Sequence, residues 1–122
     1  MNNKPKTILC DLDGTLTKHP GDSSVIQNPD YELEVLPGVK EFLYTIDLNS
    51  YHLVITTGRK ESAREATIKQ LQRAGITYDQ LIMGFGGGDR ILINDRKPNS
   101  DRDTAYAINL ERNKGLLDEN GI

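Results

Sequence analysis

Short apolar runs alternate along this chain with segments of helical periodicity, and this alternation limits the possible fold more than any other feature. The apolar runs are Thr7–Cys10, Leu53–Thr56, Leu81–Met83 and Arg90–Asn94, with a candidate last strand at Ala105–Leu110. One helix is predicted after Pro37, where apolar residues recur at helical spacing, and another over Lys60–Ala74, before a glycine. Strands that alternate with helices predict an α/β fold with a mostly parallel sheet covered on both faces.

The composition is that of an ordinary globular domain. With 122 residues, 36% of them hydrophobic and 27% charged, we expect a single domain spanning residues 1–122. The formal net charge of −3 gives no overall attraction to nucleic acid or to an anionic membrane. We find no long apolar segment and no apolar leader, and the single cysteine, Cys10, cannot form an internal disulfide. We therefore expect a cytoplasmic protein without a membrane partner, with Cys10 in its core.

The first apolar run leads into Asp11–Thr15, whose sequence is DLDGT. In extended backbone, residues two apart project to the same side, so Asp11 and Asp13 can share a pocket while Leu12 packs behind them. Two close carboxylates repel each other unless a cation lies between them or one of them holds a proton. Gly14 permits a tight turn. The segment predicts either a metal and phosphate site or a solvated acidic turn of the kind that often follows a strand.

Two other apolar runs also end in polar residues. Thr57 and Gly58 follow the second strand, and Asn94 and Asp95 close the strand predicted at Arg90–Asn94. Ligands of open parallel sheets bind beyond the carboxyl ends of the strands, so polar residues at three such ends favour a functional site. Thr57 is then either a phosphate ligand or the cap of the helix that follows it.

With these motifs the chain resembles the haloacid dehalogenase (HAD) superfamily of phosphohydrolases, which use an aspartate nucleophile. The segment Asp11–Thr15 matches the first family motif in full, Thr57 matches the second, and Asn94–Asp95 lies where the acidic fourth motif belongs. The resemblance covers nearly the whole chain and implies a three-layer, Rossmann-like sandwich with a mostly parallel central sheet. The loop or flap at Thr17–Leu36 is too short for a separate cap domain, so the capless branch is implied.

The resemblance also implies a role for each of these residues. Asp11 would attack phosphorus and form an aspartyl-phosphate, and Asp13 would protonate the leaving oxygen and then accept a proton from water. Magnesium would be held by Asp11, the backbone carbonyl of Asp13, and Asp95. The Thr57 hydroxyl and the N–H of Gly58, at the start of the next helix, would bind phosphate oxygens.

The sequence departs from the family pattern at two places. The fourth motif usually carries two acidic residues, whereas its first position here is Asn94, which leaves one anionic metal ligand fewer. The family lysine that clamps the nucleophile and the phosphate normally precedes that motif, but no lysine lies between Gln70 and Asn94. Lys97 is the first candidate for this role, followed by Arg90 and Lys60. A solvated loop charge is the alternative interpretation of Lys97.

Two arginines neighbour the predicted site residues. Arg59 joins Thr57 and Gly58 in the predicted substrate-binding set, and Arg96 is a further candidate for a second anionic group of the substrate. A salt bridge or an exposed surface charge is the alternative interpretation of both arginines.

The resemblance implies a magnesium-dependent phosphatase for a small phosphorylated metabolite. The stretches Ile93–Pro98 and Ala107–Asn113 resemble small bacterial proteins of capsule or surface-polysaccharide biosynthesis, which indicates a sugar phosphate. A polynucleotide phosphatase is the alternative, although the net charge does not indicate the basic groove that it needs, and a nucleic-acid partner is not expected. A binding or regulatory protein that has lost catalysis also stays open because of Asn94 and the missing lysine. A homo-oligomer stays open too, because a neighbouring subunit could close a capless site.

Overall fold

The computed structural model describes residues 4–116. Its strands are β1 (Thr7–Asp11), β2 (His52–Thr56) and β3 (Gln80–Ile82), and its helices are α1 (Val39–Leu48) and α2 (Arg64–Ala74). Short 3₁₀ turns lie at Ser23–Gln27, between β1 and α1, and at Glu61–Ala63, directly before α2. The alternation of strands and helices predicted up to β3 is confirmed.

The three strands form one parallel sheet in the order β1-β2-β3. Each strand is joined to the next by a segment that contains a helix, as parallel neighbours require. Asp11 lies opposite Thr56, so the acidic turn after β1 and the polar turn after β2 come to the same edge of the sheet. The chain therefore has a small, Rossmann-like α/β fold, which is the fold class predicted from the sequence.

The hydrophobic core joins the sheet to both helices. Its strand residues include Cys10, Leu53, Ile55 and Leu81, and its helix residues include Val39, Phe42, Ile46 and Leu71. Burial of each large apolar side chain stabilises the fold by about 1.5–3 kcal/mol. Leu9, which alternates with Cys10 along β1, is 53% exposed, so this part of the opposite face of the sheet is open to solvent.

Cys10 is a buried core residue, as predicted. Burial, with a further contribution from the negative charge of Asp11, raises the pKa of the Cys10 thiol to about 12. The side chain is therefore an uncharged thiol at neutral pH, and it packs as a small apolar group.

Glycines lie at one end of each helix. Gly38 precedes α1 with a φ of 79°, and Gly75 follows α2 with a φ of 73°. Left-handed backbone of this kind favours glycine, and the predicted end of α2 is confirmed. The helix begins at Arg64 rather than at Lys60, because the 3₁₀ turn Glu61–Ala63 precedes it.

The strands predicted at Arg90–Asn94 and Ala105–Leu110 are wrong, because both segments are irregular chain. The apolar side chains of the first segment are largely exposed, with Ile91 at 86% and Ile93 at 89%. A run of β-branched residues favours a strand, but a strand also needs a neighbouring edge to pair with. Within the described part of the chain neither segment pairs with β1, β2 or β3, so the local preference is not realised.

The flap predicted at Thr17–Leu36 is irregular chain with the 3₁₀ turn Ser23–Gln27, and this fully described stretch contains no separate domain. No helix within residues 4–116 combines the length and the apolar content that crossing a bilayer requires. The cytoplasmic location stays a prediction.

Residues 112–116, called the strap below, return to the acidic turn. The N–H of Asn113 donates to the carbonyl of Gly14 at 2.8 Å, and its side-chain oxygen accepts a backbone N–H of the flap at 2.7 Å. The N–H of Leu116 donates to the carbonyl of Pro37 at 2.9 Å, and the Leu116 side chain is buried. The strap therefore links the acidic turn to the start of α1.

Candidate active site

The backbone of the acidic turn holds its own shape. The carbonyl oxygen of Leu12 accepts the N–H groups of residues 15–17 at 3.1, 3.0 and 3.2 Å. Gly14 has a φ of 91° and donates its N–H to the carbonyl of Thr17 at 2.7 Å. None of these four donors uses the carbonyl of Asp13, which leaves that oxygen out of the turn's own hydrogen bonds.

Asp11 is the last residue of β1 and is exposed to solvent. Its Oδ2 accepts a hydrogen bond from the Thr15 hydroxyl at 3.2 Å. Partial burial of the Asp11 carboxyl group against the protein raises its pKa, and the negative charge of Asp13 raises it further. Hydrogen bonds from the Leu12 N–H and from Thr15, together with the positive charge of Arg90, lower the same pKa. An exposed carboxylate with few hydrogen bonds is available as a nucleophile.

Asp13 is bound by Arg59 through two parallel hydrogen bonds, from Nε to Oδ2 at 2.9 Å and from Nη2 to Oδ1 at 2.8 Å. Nη1 of Arg59 donates to the Thr67 hydroxyl at 3.0 Å and to Oε1 of Gln70 at 2.7 Å. The side chain of Arg59 is 1% exposed and that of Asp13 is 14% exposed. The guanidinium of Arg59 is buried against these partners, and substrate binding by Arg59 stays a prediction. The salt-bridge interpretation is confirmed.

Thr57 is 1% exposed, and its hydroxyl accepts the N–H of Arg59 at 3.1 Å. It therefore caps the turn after β2, whereas α2 begins only at Arg64, so the expected helix start at Gly58 is wrong. A Cβ on Gly58 would lie 2.6 Å from the carbonyl oxygen of Gly86, because the loop after β3 packs onto this turn. Phosphate binding by Thr57 and Gly58 stays a prediction.

Arg90 is the basic residue whose positive charge lowers the pKa of Asp11. Its guanidinium carbon lies 4.9 Å from the centre of the Phe85 ring, and the group donates to the carbonyls of Gly86, at 3.2 Å, and of Gly88. These contacts hold the charge close to the acidic turn. Arg90 stays a candidate for the lysine role, together with Lys97 and Lys60.

The first candidate, Lys97, lies 4.0 Å from the Asp95 carboxylate, and both side chains are exposed. Neighbouring side chains also bind within this loop: Asn94 donates to the Thr104 hydroxyl at 2.7 Å, and Arg96 binds Asp103 at 2.9 Å. The salt-bridge interpretation of Arg96 is confirmed. The third candidate, Lys60, is exposed beside the 3₁₀ turn before α2.

Within residues 4–116, no three His, Cys, Asp or Glu residues form a group that could hold a metal ion. Residues 90–94, at whose carboxyl end Asp95 was expected, are irregular chain. Metal binding by Asp11, Asp13 and Asp95 stays a prediction. Magnesium usually needs only one or two carboxylates, with water and substrate phosphate completing its shell. The Asp11 carboxylate and the Asp13 carbonyl fit that smaller set.

Three polar residues at this site were not identified from the sequence. Thr67 and Gln70 lie one turn apart on α2 and are fully buried beside Arg59. Two polar residues on an otherwise apolar helix face could have indicated a buried partner. Arg112 lies against the acidic turn, since a Cβ on Gly14 would come within 3.1 Å of its Cγ, and no pattern in the sequence indicates this contact.

No protein-family model matches the sequence, and no curated protein sequence matches it. Solved structures do match. Chains from two structures of the Pnkp1/Rnl/Hen1 complex, one described as an RNA repair complex, have TM-scores of 0.56 and 0.55 at 29% and 28% identity. A crystal structure of a target protein from Vibrio cholerae shares the fold, with a TM-score of 0.50 at 23% identity over 73% of this chain and 79% of that one.

The matches to the Pnkp1/Rnl/Hen1 structures cover 71% and 80% of this chain but only 30% and 28% of the chains they match. This chain therefore corresponds to less than a third of those larger proteins.

Proposed function

We propose that this chain hydrolyses phosphate monoesters through an aspartyl-phosphate formed on Asp11. The observation that carries the proposal is the acidic turn at the carboxyl edge of the parallel sheet. There Asp11 is exposed, Asp13 is held by Arg59, and the positive charge of Arg90 acts on Asp11. The match of residues 11–15 to the first motif of the HAD superfamily supports the same chemistry.

The reaction would proceed in two displacements. An oxygen of Asp11 attacks phosphorus and the bond from phosphorus to the ester oxygen breaks. Asp13, which must carry a proton at the start of this step, gives that proton to the ester oxygen, which leaves as an alcohol. A water molecule then attacks the phosphorus of the aspartyl-phosphate and passes a proton to Asp13. Inorganic phosphate leaves, and the Asp11 carboxylate is restored. Each Asp13 oxygen keeps a lone pair beyond its bond to Arg59, so the side chain can hold the transferred proton.

Positive charge is needed to bring an anionic nucleophile to an anionic phosphate. Magnesium, held by the Asp11 carboxylate and the Asp13 carbonyl, would supply part of this charge. Arg90 would bind phosphate oxygens in place of the family lysine. Contributions from Thr57 and Lys97, and from Asp95 as a metal ligand, stay predictions from the sequence.

Two substrate classes follow from different observations. The similarity to chains of the Pnkp1/Rnl/Hen1 complex, at up to 29% identity, supports a phosphorylated polynucleotide end. The net charge of −3 favours a small molecule such as the sugar phosphate predicted from the sequence. A site without a cap domain admits both classes. We place the polynucleotide end first, because the similarity to those chains supports it, although the net charge does not indicate a nucleic-acid partner.

The test is phosphate release with magnesium from RNA oligonucleotides phosphorylated at either end, from hexose phosphates, and from p-nitrophenyl phosphate. Asp11→Asn should lower turnover by about a thousandfold or more, since it removes the nucleophile. Asp47→Asn, an equivalent change on the exposed face of α1, is the matched control and should leave turnover unchanged. An active Asp11→Asn variant would contradict the proposal. A folded wild-type protein that is inactive on every substrate would favour the binding or regulatory alternative.

A further inference from the structure

Gln70 is fully buried on α2, and both the oxygen and the nitrogen of its side-chain amide make hydrogen bonds. Its Oε1 accepts Nη1 of Arg59 at 2.7 Å. Its Nε2 donates to the backbone carbonyls of Val25, Ile26 and Asn28 at 3.0, 3.3 and 2.8 Å. These partners fix the orientation of the amide, because a flipped amide would place its oxygen against three carbonyls and its NH₂ against a guanidinium.

Arg59 links this hydrogen-bond network to the acidic turn. Arg59 shares its guanidinium between Gln70 and both oxygens of Asp13, and its side chain is only 1% exposed. Water cannot easily replace a hydrogen bond at that depth, so a shift at one end leaves a buried polar group without a partner. Gln70 therefore joins two segments that are far apart in sequence, the flap turn at residues 22–28 and Asp13.

We propose that Gln70 is a positioning residue that couples the flap turn to Asp13 through Arg59. With the flap turn in place, the Gln70 amide presents its oxygen to Arg59, which then holds both Asp13 oxygens in one plane. A ligand that holds or displaces the flap turn would thereby change the orientation of Asp13. This coupling rests on the proposed function, in which Asp13 moves the proton.

Gln70→Glu removes the hydrogen bonds to the flap turn and keeps the one to Arg59. A carboxylate still accepts from Arg59 but cannot donate to the carbonyls of the flap turn. An alkyl phosphate needs a proton from Asp13 as its alkoxide leaves, whereas p-nitrophenolate leaves without one. In Gln70→Glu we expect kcat/KM, which reports formation of the aspartyl-phosphate and not its later hydrolysis, to fall about 30-fold for glycerol phosphate and less than about threefold for p-nitrophenyl phosphate. Gln72→Glu, the same change on an exposed position of α2, should alter neither rate. Equal losses on both substrates, or no loss, would overturn the proposal.

Ile26→Ala is a second variant for the case in which Gln70→Glu does not fold. Ile26 is partly buried against the core, and the substitution loosens the flap turn while the side chains of Gln70 and Arg59 and the Ile26 carbonyl that accepts from Gln70 are retained. It should produce the same selective loss on the alkyl substrate. A loss that is equal on both substrates would show that the flap turn has no specific link to Asp13.

Hydrogen exchange tests the coupling without any phosphatase activity. The N–H of Asn28 donates to the carbonyl of Val25 within the flap turn, so its exchange reports opening of that turn. In Asp13→Asn, exchange at residues 25–28 should be about tenfold faster than in wild type or in Asp47→Asn. Unchanged exchange would overturn the coupling. Faster exchange in a protein that hydrolyses none of the substrates would retain the coupling and refute the phosphatase proposal.

Discussion

Arg59→Met removes four hydrogen bonds from the protein interior, two to Asp13 and one each to Thr67 and Gln70. Methionine occupies a similar volume but donates nothing. The Asp13 carboxylate then loses its counter-ion at 14% exposure, and two buried oxygens lose their donor. Removing one partner of a buried ion pair costs about 3–5 kcal/mol, so we expect the free energy of unfolding to fall by about 4 kcal/mol.

Arg64 offers a matched control. It also makes four hydrogen bonds, all to Glu61, with the same shortest ion-pair distance of 2.8 Å, but both side chains are exposed. Exposed pairs contribute little, so Arg64→Met should leave the midpoint of urea unfolding unchanged. With a slope of about 1.5 kcal/mol per molar, Arg59→Met should lower the midpoint by roughly 2–3 M. Equal midpoints for the two variants would refute the argument that burial gives the Arg59 pair its strength.

The double variant Asp13→Asn/Arg59→Met isolates the ion pair. It removes both charges together, so it should be more stable than Arg59→Met alone. If Arg59→Met is already unfolded in the absence of urea, the free energy of unfolding of the double variant can still be measured and compared with that of wild type. A double variant whose loss equals the sum of the two single losses would contradict a direct interaction.

Three further predictions concern residues outside this ion pair. Gly38→Ala should destabilise the protein more than Gly75→Ala, measured by urea unfolding. Both glycines have positive φ, which costs about 1 kcal/mol in alanine, but only at Gly38 would the added Cβ overlap with the carbonyl of Leu116 in the strap. Thr17→Val should raise the free energy of unfolding by about 1 kcal/mol, because the Thr17 hydroxyl is fully buried and has no hydrogen-bond partner among the described residues. A loss of stability would show that the hydroxyl does have a partner. Asp95→Asn should keep phosphatase activity within about threefold of wild type, because the side chain is exposed and lies near a lysine of its own loop. A large loss would support its predicted role as a metal ligand.

Much of the fold could be predicted because it depends on local patterns. The spacing of Val39, Phe42 and Ile46 predicts α1, and Gly75 marks the end of α2. The strand predicted at Arg90–Asn94 failed because strand formation depends on a distant edge as well as on residue type. Its exposed isoleucines satisfy the residue preference but have no edge to pair with in the described structure.

The candidate site could be predicted in part. The acidic turn could be predicted because its two carboxylates and its glycine lie within one short segment, DLDGT. The partner of Asp13 could not be predicted, since Arg59 is 46 positions away and its adjacent motif indicated a substrate role. The buried Gln70 was missed for the same reason, because its meaning depends on contacts 42 to 45 positions away.

The most direct test of the proposed chemistry is to trap the aspartyl-phosphate. Wild-type protein quenched during turnover of p-nitrophenyl phosphate is treated with borohydride, which reduces an acyl phosphate to an alcohol, and the peptide that contains Asp11 is analysed by mass spectrometry. We predict homoserine at position 11 in wild type and none in Asp11→Asn. An unmodified Asp11 in protein that is turning over, or reduction at another carboxylate, would contradict the account.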